Sequence, residues 1–310
     1  MRENRFQVDM ATGRFTLPVV ILICLILWGF GSQEWSDVGT LAIVALSGYL
    51  MIEMNTTFLL IRNRTTFPIT IFYYLTCIFF FLHPFEWSHF AQLTYLLGVF
   101  QLFFSYESAH AQRNIFHSFL FLGLGSLAFP QLLYFAPLFG LSMITFRALS
   151  IKSFFASFIG LLVPYWFLFA YAFSFDKMHL FYAPIQEMLH FYPISYANWN
   201  QPEISSEAFV LFLLVISSIH YFQVAYMDKT RTRIFLSFLA LAGWWTTLFI
   251  LLQPCHLDEL LPIQITCTAF LSGHLFTLTR NKFSGYLFLV TFVIIIILTL
   301  YNIWMQFFNF

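Results

Sequence analysis

The chain reads as an all-α, polytopic transmembrane helical bundle of about eleven spans (nine possible), with its N-terminus inside and its C-terminus outside. Three observations carry that expectation. Only 9% of the 310 residues are charged and 60% are hydrophobic, whereas a soluble domain keeps about 25% charged residues to hold its hydrated surface. Apolar runs of spanning length recur along the whole chain. Basic residues gather in alternate connections between them.

The first element follows MRENRFQVDMATGRF, a basic leader, and is TLPVVILICLILWGFG. No small-x-small cleavage site comes after it, so it reads as an uncleaved first span. The runs fall at 16–31, 38–61, 67–82, 89–105, 115–129, 131–147, 153–175, 207–227, 234–252, 260–278 and 284–306. Each is expected to be helical, because lipid offers no partner to an open backbone and the runs lack the two-residue alternation of a membrane barrel. Four of them, between 67 and 147, are near the minimum for crossing about 30 Å of hydrocarbon. HPFEWSH divides one pair of these and Pro130 the other, so either pair can be a hairpin that turns back. No internal boundary is legible, and residues 1–310 read as one integral membrane domain.

Orientation follows from the basic residues. With the N-terminus cytoplasmic, thirteen of the fourteen Lys and Arg lie inside, and only Lys177 is outside. That asymmetry satisfies the positive-inside rule. Net charge is zero, so no basic surface points to nucleic acid. Cys24, Cys77 and Cys267 lie in apolar runs and Cys255 in a polar connection, which defines no disulfide framework.

The one long connection, 176–206, is DKMHLFYAPIQEMLHFYPISYANWNQPEISSE. Its prolines forbid a span, and its aromatics suit the headgroup layer, where a ring can be half wet. One or two short helices are expected on the outer leaflet. They serve either as a cover for helix ends or as an entrance for an amphiphile.

Polar residues inside the runs are the candidate functional groups. Tyr49, Glu53, Thr56 and Thr57 share one helical face and Asn55 points to another, so this helix is expected to lie among its neighbours, with Gly48 admitting one of them closely. Glu53 is nine residues before Arg62, about 13 Å by helical rise. An ionisable group at that depth costs on the order of 3 kcal/mol unless it is neutralised, paired or beside water. SSIHYFQ supplies His220, and QITCTAFLSGHLFTLT supplies Gln264, Thr268 and Ser272 on one stripe with His274 near another. Glu53, His220 and His274 are expected to approach one another, and these three with Asn55 are the candidates for a substrate or proton pathway. The alternative for each is an ordinary interhelical hydrogen bond.

QPCHLDEL places Cys255, His256, Asp258 and Glu259 outside, in a spacing that matches no zinc pattern; no metal is expected, and no cofactor is legible. P-loop, dinucleotide, GxSxG and HExxH signatures are missing from the sequence.

NTTFLLIRNRTTFPITIFYYLTCIFFFLHP, with the later RNIFHSFLFLGLGSLAFPQLLYFAPLFGLSMITFRALSIKSFFASFIGLLVPYW, resembles a family of uncharacterised multi-pass inner-membrane proteins of Bacteroidota. There an aromatic-Pro turn precedes a basic residue and a Gly-x-x-x-Pro-Tyr span, here Gly160 to Tyr165. The resemblance implies a bacterial inner-membrane setting and no catalytic residue. More distantly, the chain is similar to polytopic glycosyltransferases that use polyprenyl-phosphate sugars, which carry an acid in the first outer loop. That likeness points to Glu34 or Asp37, although the loop here is about seven residues, shorter than the family's.

Three functions follow as expectations. The first is handling of lipid-linked or envelope glycan at the outer leaflet, with Glu34, Asp37 or Glu86 as base or ligand. The second is a secondary transporter with Glu53 and the membrane histidines on its pathway. The third is a non-catalytic scaffold among membrane protein partners. The bilayer is the one partner all three share. Topology is directly testable: reporters fused after Arg64 and after Glu203 are expected on opposite faces, and finding both on one face would refute the orientation.

Overall fold

The computed structural model describes residues 5–31, 35–63, 65–197, 199–279 and 282–308, and among them every regular element is helical. Among the described residues six helices are long and apolar enough to cross a membrane, and the bent pair formed by the first two helices makes a seventh if counted as one span. The helices group into two compact units. One comprises Met1–Phe85 and Ile194–Phe310, the other Glu86–Pro193. The sequence carries no composition break at either junction; the division appears only in the packing.

The first unit begins with α1 (Arg5–Thr12), which turns by 78° into α2 (Thr16–Gly31). Gly13 stands at the elbow, where a Cβ would fall 2.3 Å from the Asp9 carbonyl oxygen. Next come α3 (Asp37–Phe58) and α4 (Phe67–Ile78), the latter extended by a 3-10 turn at Phe80–Leu82. Leu59, with φ of 50°, adopts the left-handed conformation that ends α3.

The second unit holds α5 (His89–Phe104), α6 (Ala111–Ala128), a 3-10 turn at Pro130–Phe135, α7 (Ala136–Thr145), α8 (Ile151–Ser174) and α9 (His179–Leu189). Pro130 ends α6 as expected, because the residue before proline is forced out of the α region; Phe129 is extended. The Gly-x-x-x-Pro-Tyr element is a packing device. A Cβ on Gly160 would lie 2.4 Å from the Phe116 carbonyl oxygen, and Pro164 meets Gly123 in the same crossing. One turn on, the Tyr165 hydroxyl bonds that of Ser126 at 2.9 Å. Small residues let α6 and α8 approach, which is the usual source of helix association in lipid. Outward, α8 exposes Phe154, Phe155, Phe158, Trp166 and Phe167, a face that only an apolar solvent tolerates.

The first unit resumes with α10 (Gln201–Val224), α11 (Thr230–Leu252), α12 (Leu257–Leu278) and α13 (Lys282–Phe308). Helix α12 is its core, packed on α4, α10 and α11, and every residue from Leu260 to Thr277 is buried. Gly273 permits this, since a Cβ there would meet Pro68 of α4 at 2.4 Å. At the end of α12, the Gln7 amide donates to the carbonyl oxygens of Phe276 (2.8 Å) and Thr279 (2.9 Å). These are C-terminal carbonyls without an intrahelical partner, so the leader contributes a docked helix that its sequence did not announce.

Two expectations need correction. The long connection does hold a short helix, α9, none of whose residues is buried, but it ends sooner than expected, because residues 201–206 belong to α10 instead of the loop. Pro202 sits in the first turn of α10, where proline is tolerated, and Glu203 accepts from the Asn200 backbone N–H at 3.2 Å. Second, the Tyr49–Thr56–Thr57 face of α3 is exposed instead of enclosed; the buried stripe carries Thr40, Ser47, Met51, Met54 and Asn55. Gly48 does admit a neighbour, Tyr73 of α4, whose hydroxyl donates to the Ala45 carbonyl at 3.1 Å.

The Gly160 crossing can be probed alone. Gly160→Val is expected to destabilise the second unit by about 1–3 kcal/mol through overpacking. Lowered thermal stability in detergent relative to Ile159→Val, one position away on an exposed site, would show it; equal stabilities would refute the close crossing.

Candidate functional site

Two polar clusters lie on α12 in the first unit. Toward the Lys229–Arg233 end, His274 Nε2 and Asp228 Oδ2 are 2.8 Å apart, with the two side chains 0% and 4% exposed. Asp228 follows the 3-10 turn Ala225–Met227 that closes α10, so the chain reverses beneath α12 and turns a carboxylate back onto it. His220 of α10 lies beside the pair, its ring centroid 6.0 Å from that of His274. Its Nε2 is 2.7 Å from the Thr279 hydroxyl. Tyr221 packs edge-on against His274 at 5.9 Å and donates to the Arg233 carbonyl at 2.6 Å, holding the start of α11 against the cluster. The Nδ1 atoms of both histidines are buried and meet no hydrogen-bond partner among the described residues.

The second cluster lies about 15 Å further along α12 by helical rise. Gln264 donates from Nε2 to Glu207 Oε1 at 3.0 Å and to the Thr247 hydroxyl at 2.9 Å, joining α12, α10 and α11. Glu207 is 4% exposed, and its Oε2 has no hydrogen-bond partner among the described residues. The same holds for Gln264 Oε1 and for the Thr268 hydroxyl one turn below. A buried carboxylate with half its acceptors unmet is costly, which marks Glu207 as a group kept for more than packing.

The sequence-derived candidates divide. His220 and His274 do come together. Glu53 is not joined to them by any hydrogen bond or ion pair among the described residues; it is half-buried on α3, beside the exposed Thr56. Asn55 donates to the Thr65 carbonyl at 2.9 Å and so braces the turn after α3. Glu34 lies outside the described residues. Asp37 is buried at the start of α3 within electrostatic reach of His83. Glu86 accepts from the Ser88 hydroxyl at 3.2 Å, at the first residue of the second unit. Asp228 and Glu207 were missed as site residues. Asp228 stands among the basic residues after α10, and Glu207 is the first residue of the run 207–227, next to the Pro202-containing connection 176–206. A helix begun at Gln201 would have carried Glu207 inside.

The segment between α9 and α10 caps helix ends. The Tyr196 hydroxyl donates to the Leu251 carbonyl at 2.6 Å and Trp199 Nε1 to that of Pro254 at 2.9 Å. His256 Nδ1 lies 4.0 Å from Glu259 Oε2, and no group of three His, Cys, Asp or Glu among the described residues is arranged to hold a metal ion.

These features define a multi-pass helical membrane protein whose central helix meets buried ionisable groups at two levels, Asp228 and His220 around its own His274 and Glu207 of α10 at Gln264. Comparison with known proteins yields no match: no family model, no curated protein and no solved structure is similar to this chain.

One titration lies in the connection after α4. His83 stacks on Trp28 with ring centroids 3.8 Å apart, and its Nε2 is 3.1 Å from the Cys77 carbonyl oxygen. Burial lowers its pKa from 6.5 to about 4, against the opposing pull of the Cys77 carbonyl and Asp37. The unfolded chain therefore takes up a proton that the folded one resists, and stability falls as pH drops from about 6.5 toward 4, by up to roughly 3 kcal/mol. His83→Phe, which keeps the stack, is expected to flatten that part of the stability–pH curve measured in detergent; an unchanged curve would refute the assignment.

Proposed function

We propose that the first unit is the proton-conducting core of a secondary transporter, with Glu207 receiving the proton near one end of α12 and the Asp228–His274–His220 group near the other. The observation that carries this reading is that both clusters are built against one enclosed helix, through His274 and Gln264 of its buried stretch Leu260–Thr277. Gln264, Thr268 and Ser272 follow each other at four-residue spacing between them. In hydrocarbon, ionisable groups on an enclosed helix default to ion or substrate pathways. The Asp228 carboxylate orients His274 by holding Nε2, which leaves Nδ1 to exchange a proton with the next group. Helices too short to span by themselves complete about eleven crossings in this reading, with the N-terminus in the cytoplasm of a bacterial cell and the protein in its inner membrane; the distribution of Lys and Arg supports it.

A second reading, handling of lipid-linked glycan at the outer leaflet, is favoured by a cavity of about 520 Å³ lined by Asn200, Gln201, Glu203, Asn302 and Gln306. Amide and carboxylate groups of this kind suit sugar hydroxyls. Asp37 and Glu86, with Glu34, remain its candidate acids, and a scaffold role within a larger complex would need neither site.

Vesicles containing the purified protein, loaded with a pH-sensitive dye and given a pH step across the membrane, test both. Glu207→Gln, Asp228→Asn and His274→Gln are each expected to slow proton entry at least tenfold, and Glu53→Gln to leave it unchanged. Entry no faster than in empty vesicles would overturn the transporter reading. The glycan reading would then require that replacing Glu34, Asp37 and Glu86 together depletes envelope glycan in cells, and intact glycan would exclude it.

A further inference from the structure

A third polar feature belongs to neither cluster. A groove of about 540 Å³ opens on the first unit between the α1–α2 elbow, α4 and α13, within the ~300–1,000 Å³ typical of small-ligand sites. Phe6, Met10, Val19, Phe67, Ile71 and Phe292 give it an apolar wall. Three residues of α1 face it at helical spacing, Phe6, Asp9 and Met10, and Gly13 and Arg14 follow at the elbow. Asp9 and Arg14 are therefore charges of opposite sign on the rim of one apolar groove. Neither has an ion-pair or side-chain hydrogen-bond partner among the described residues, and they do not pair with each other. Deeper in, the Thr291 hydroxyl of α13 is buried at 5% exposure, lines the same groove and meets no acceptor or donor among the described residues.

We propose that this groove binds one aminophospholipid of the phosphatidylethanolamine type. An acyl chain fills the apolar trough, Arg14 holds the phosphate, Asp9 receives the primary ammonium, and Thr291 donates to an ester oxygen. Charge complementarity selects this headgroup. A glycerol headgroup offers no cation to Asp9, and a trimethylammonium has no N–H to donate, whereas phosphate and ammonium together satisfy both rim residues by charge-assisted hydrogen bonds. The leader helix supports the placement. Gln7 ties α1 to the ends of α12 and α13, and the Thr65 hydroxyl donates to the Ala11 carbonyl, so the rim is held by the fold instead of by the lipid. An elbow anchored in that way keeps Asp9 and Arg14 at one level of the interface, where long basic side chains reach the headgroups.

The test is lipid retention by the full-length protein, extracted from vesicles of equal parts phosphatidylethanolamine, phosphatidylglycerol and phosphatidylcholine and weighed intact by native mass spectrometry. The expected result is one retained phosphatidylethanolamine, at least tenfold enriched over either competitor. Arg14→Gln is expected to abolish the enrichment, and Asp9→Asn to shift it toward phosphatidylglycerol, because the remaining cation then favours net negative charge. Val19→Trp, a bulky change at a half-exposed site in the groove wall, is expected to remove the bound lipid while thermal stability in detergent stays within a few degrees of wild type. Equal retention of the three headgroups, or enrichment that survives Arg14→Gln, would overturn the proposal and leave the groove as a surface wetted by bulk lipid. Proton entry is not part of this readout, so failure here and failure of the transporter reading are distinguishable.

Discussion

Enclosure of α12 is the constraint on which the rest of the first unit depends. Every residue from Leu260 to Thr277 is buried, so each polar group on that helix must find its partner in protein, because neither lipid nor bulk water reaches it. Gly273 against Pro68, and Gly243 of α11 with Cys267 and Leu214 nearby, set how closely the surrounding helices approach. Given that closeness, Gln264 can bridge Glu207 and Thr247, and His274 can take the Asp228 carboxylate at 2.8 Å. The polar clusters are consequences of tight apolar packing, and loosening α12 would admit alternatives to them.

The ends of the helices show the same economy. Gln7 satisfies carbonyls at the end of α12, Tyr196 one in the last turn of α11 and Trp199 one just after it, and Asn302 donates to the Ile78 carbonyl at the end of α4. Each is a side chain from a distant part of the chain meeting an acceptor that a helix terminus leaves open. In a soluble protein water fills many of these places. Here aromatic and amide side chains stand in for it, which gives the Tyr and Trp of the segment between α9 and α10 a role without an enclosed domain. The second unit relies on shape instead. Gly123 and Gly160 bring α6 and α8 together, and one hydroxyl pair, Ser126 with Tyr165, adds a polar contact.

The clusters differ in what they ask of chemistry. Asp228 and His274 satisfy each other, and His220 has its own hydroxyl partner in Thr279, so that group is an ordered pair of imidazoles with spare Nδ1 atoms. Glu207 is held on one oxygen only. A carboxylate retained at that cost, on a helix already stabilised by packing, is the strongest sign in the molecule of a working residue.

Much of this protein is determined by the order of its residues alone. Charge content and long apolar runs require helices in lipid, since no other backbone arrangement without closed sheets satisfies its hydrogen bonds there. Pro130 and Gly48 could be read as a break and as a close approach because their causes are local, whereas the packing role of Gly160 appears only in the crossing with α6. Tertiary structure alone decided which ionisable groups meet. Glu53 and Glu207 are both acids near apolar runs, and only packing places one half-exposed on α3 and the other enclosed beside Gln264. Asp228 reaches His274 across 46 positions of chain, a pairing set by how α10 turns into α11, and helical periodicity carries no information about contacts between helices so far apart in sequence.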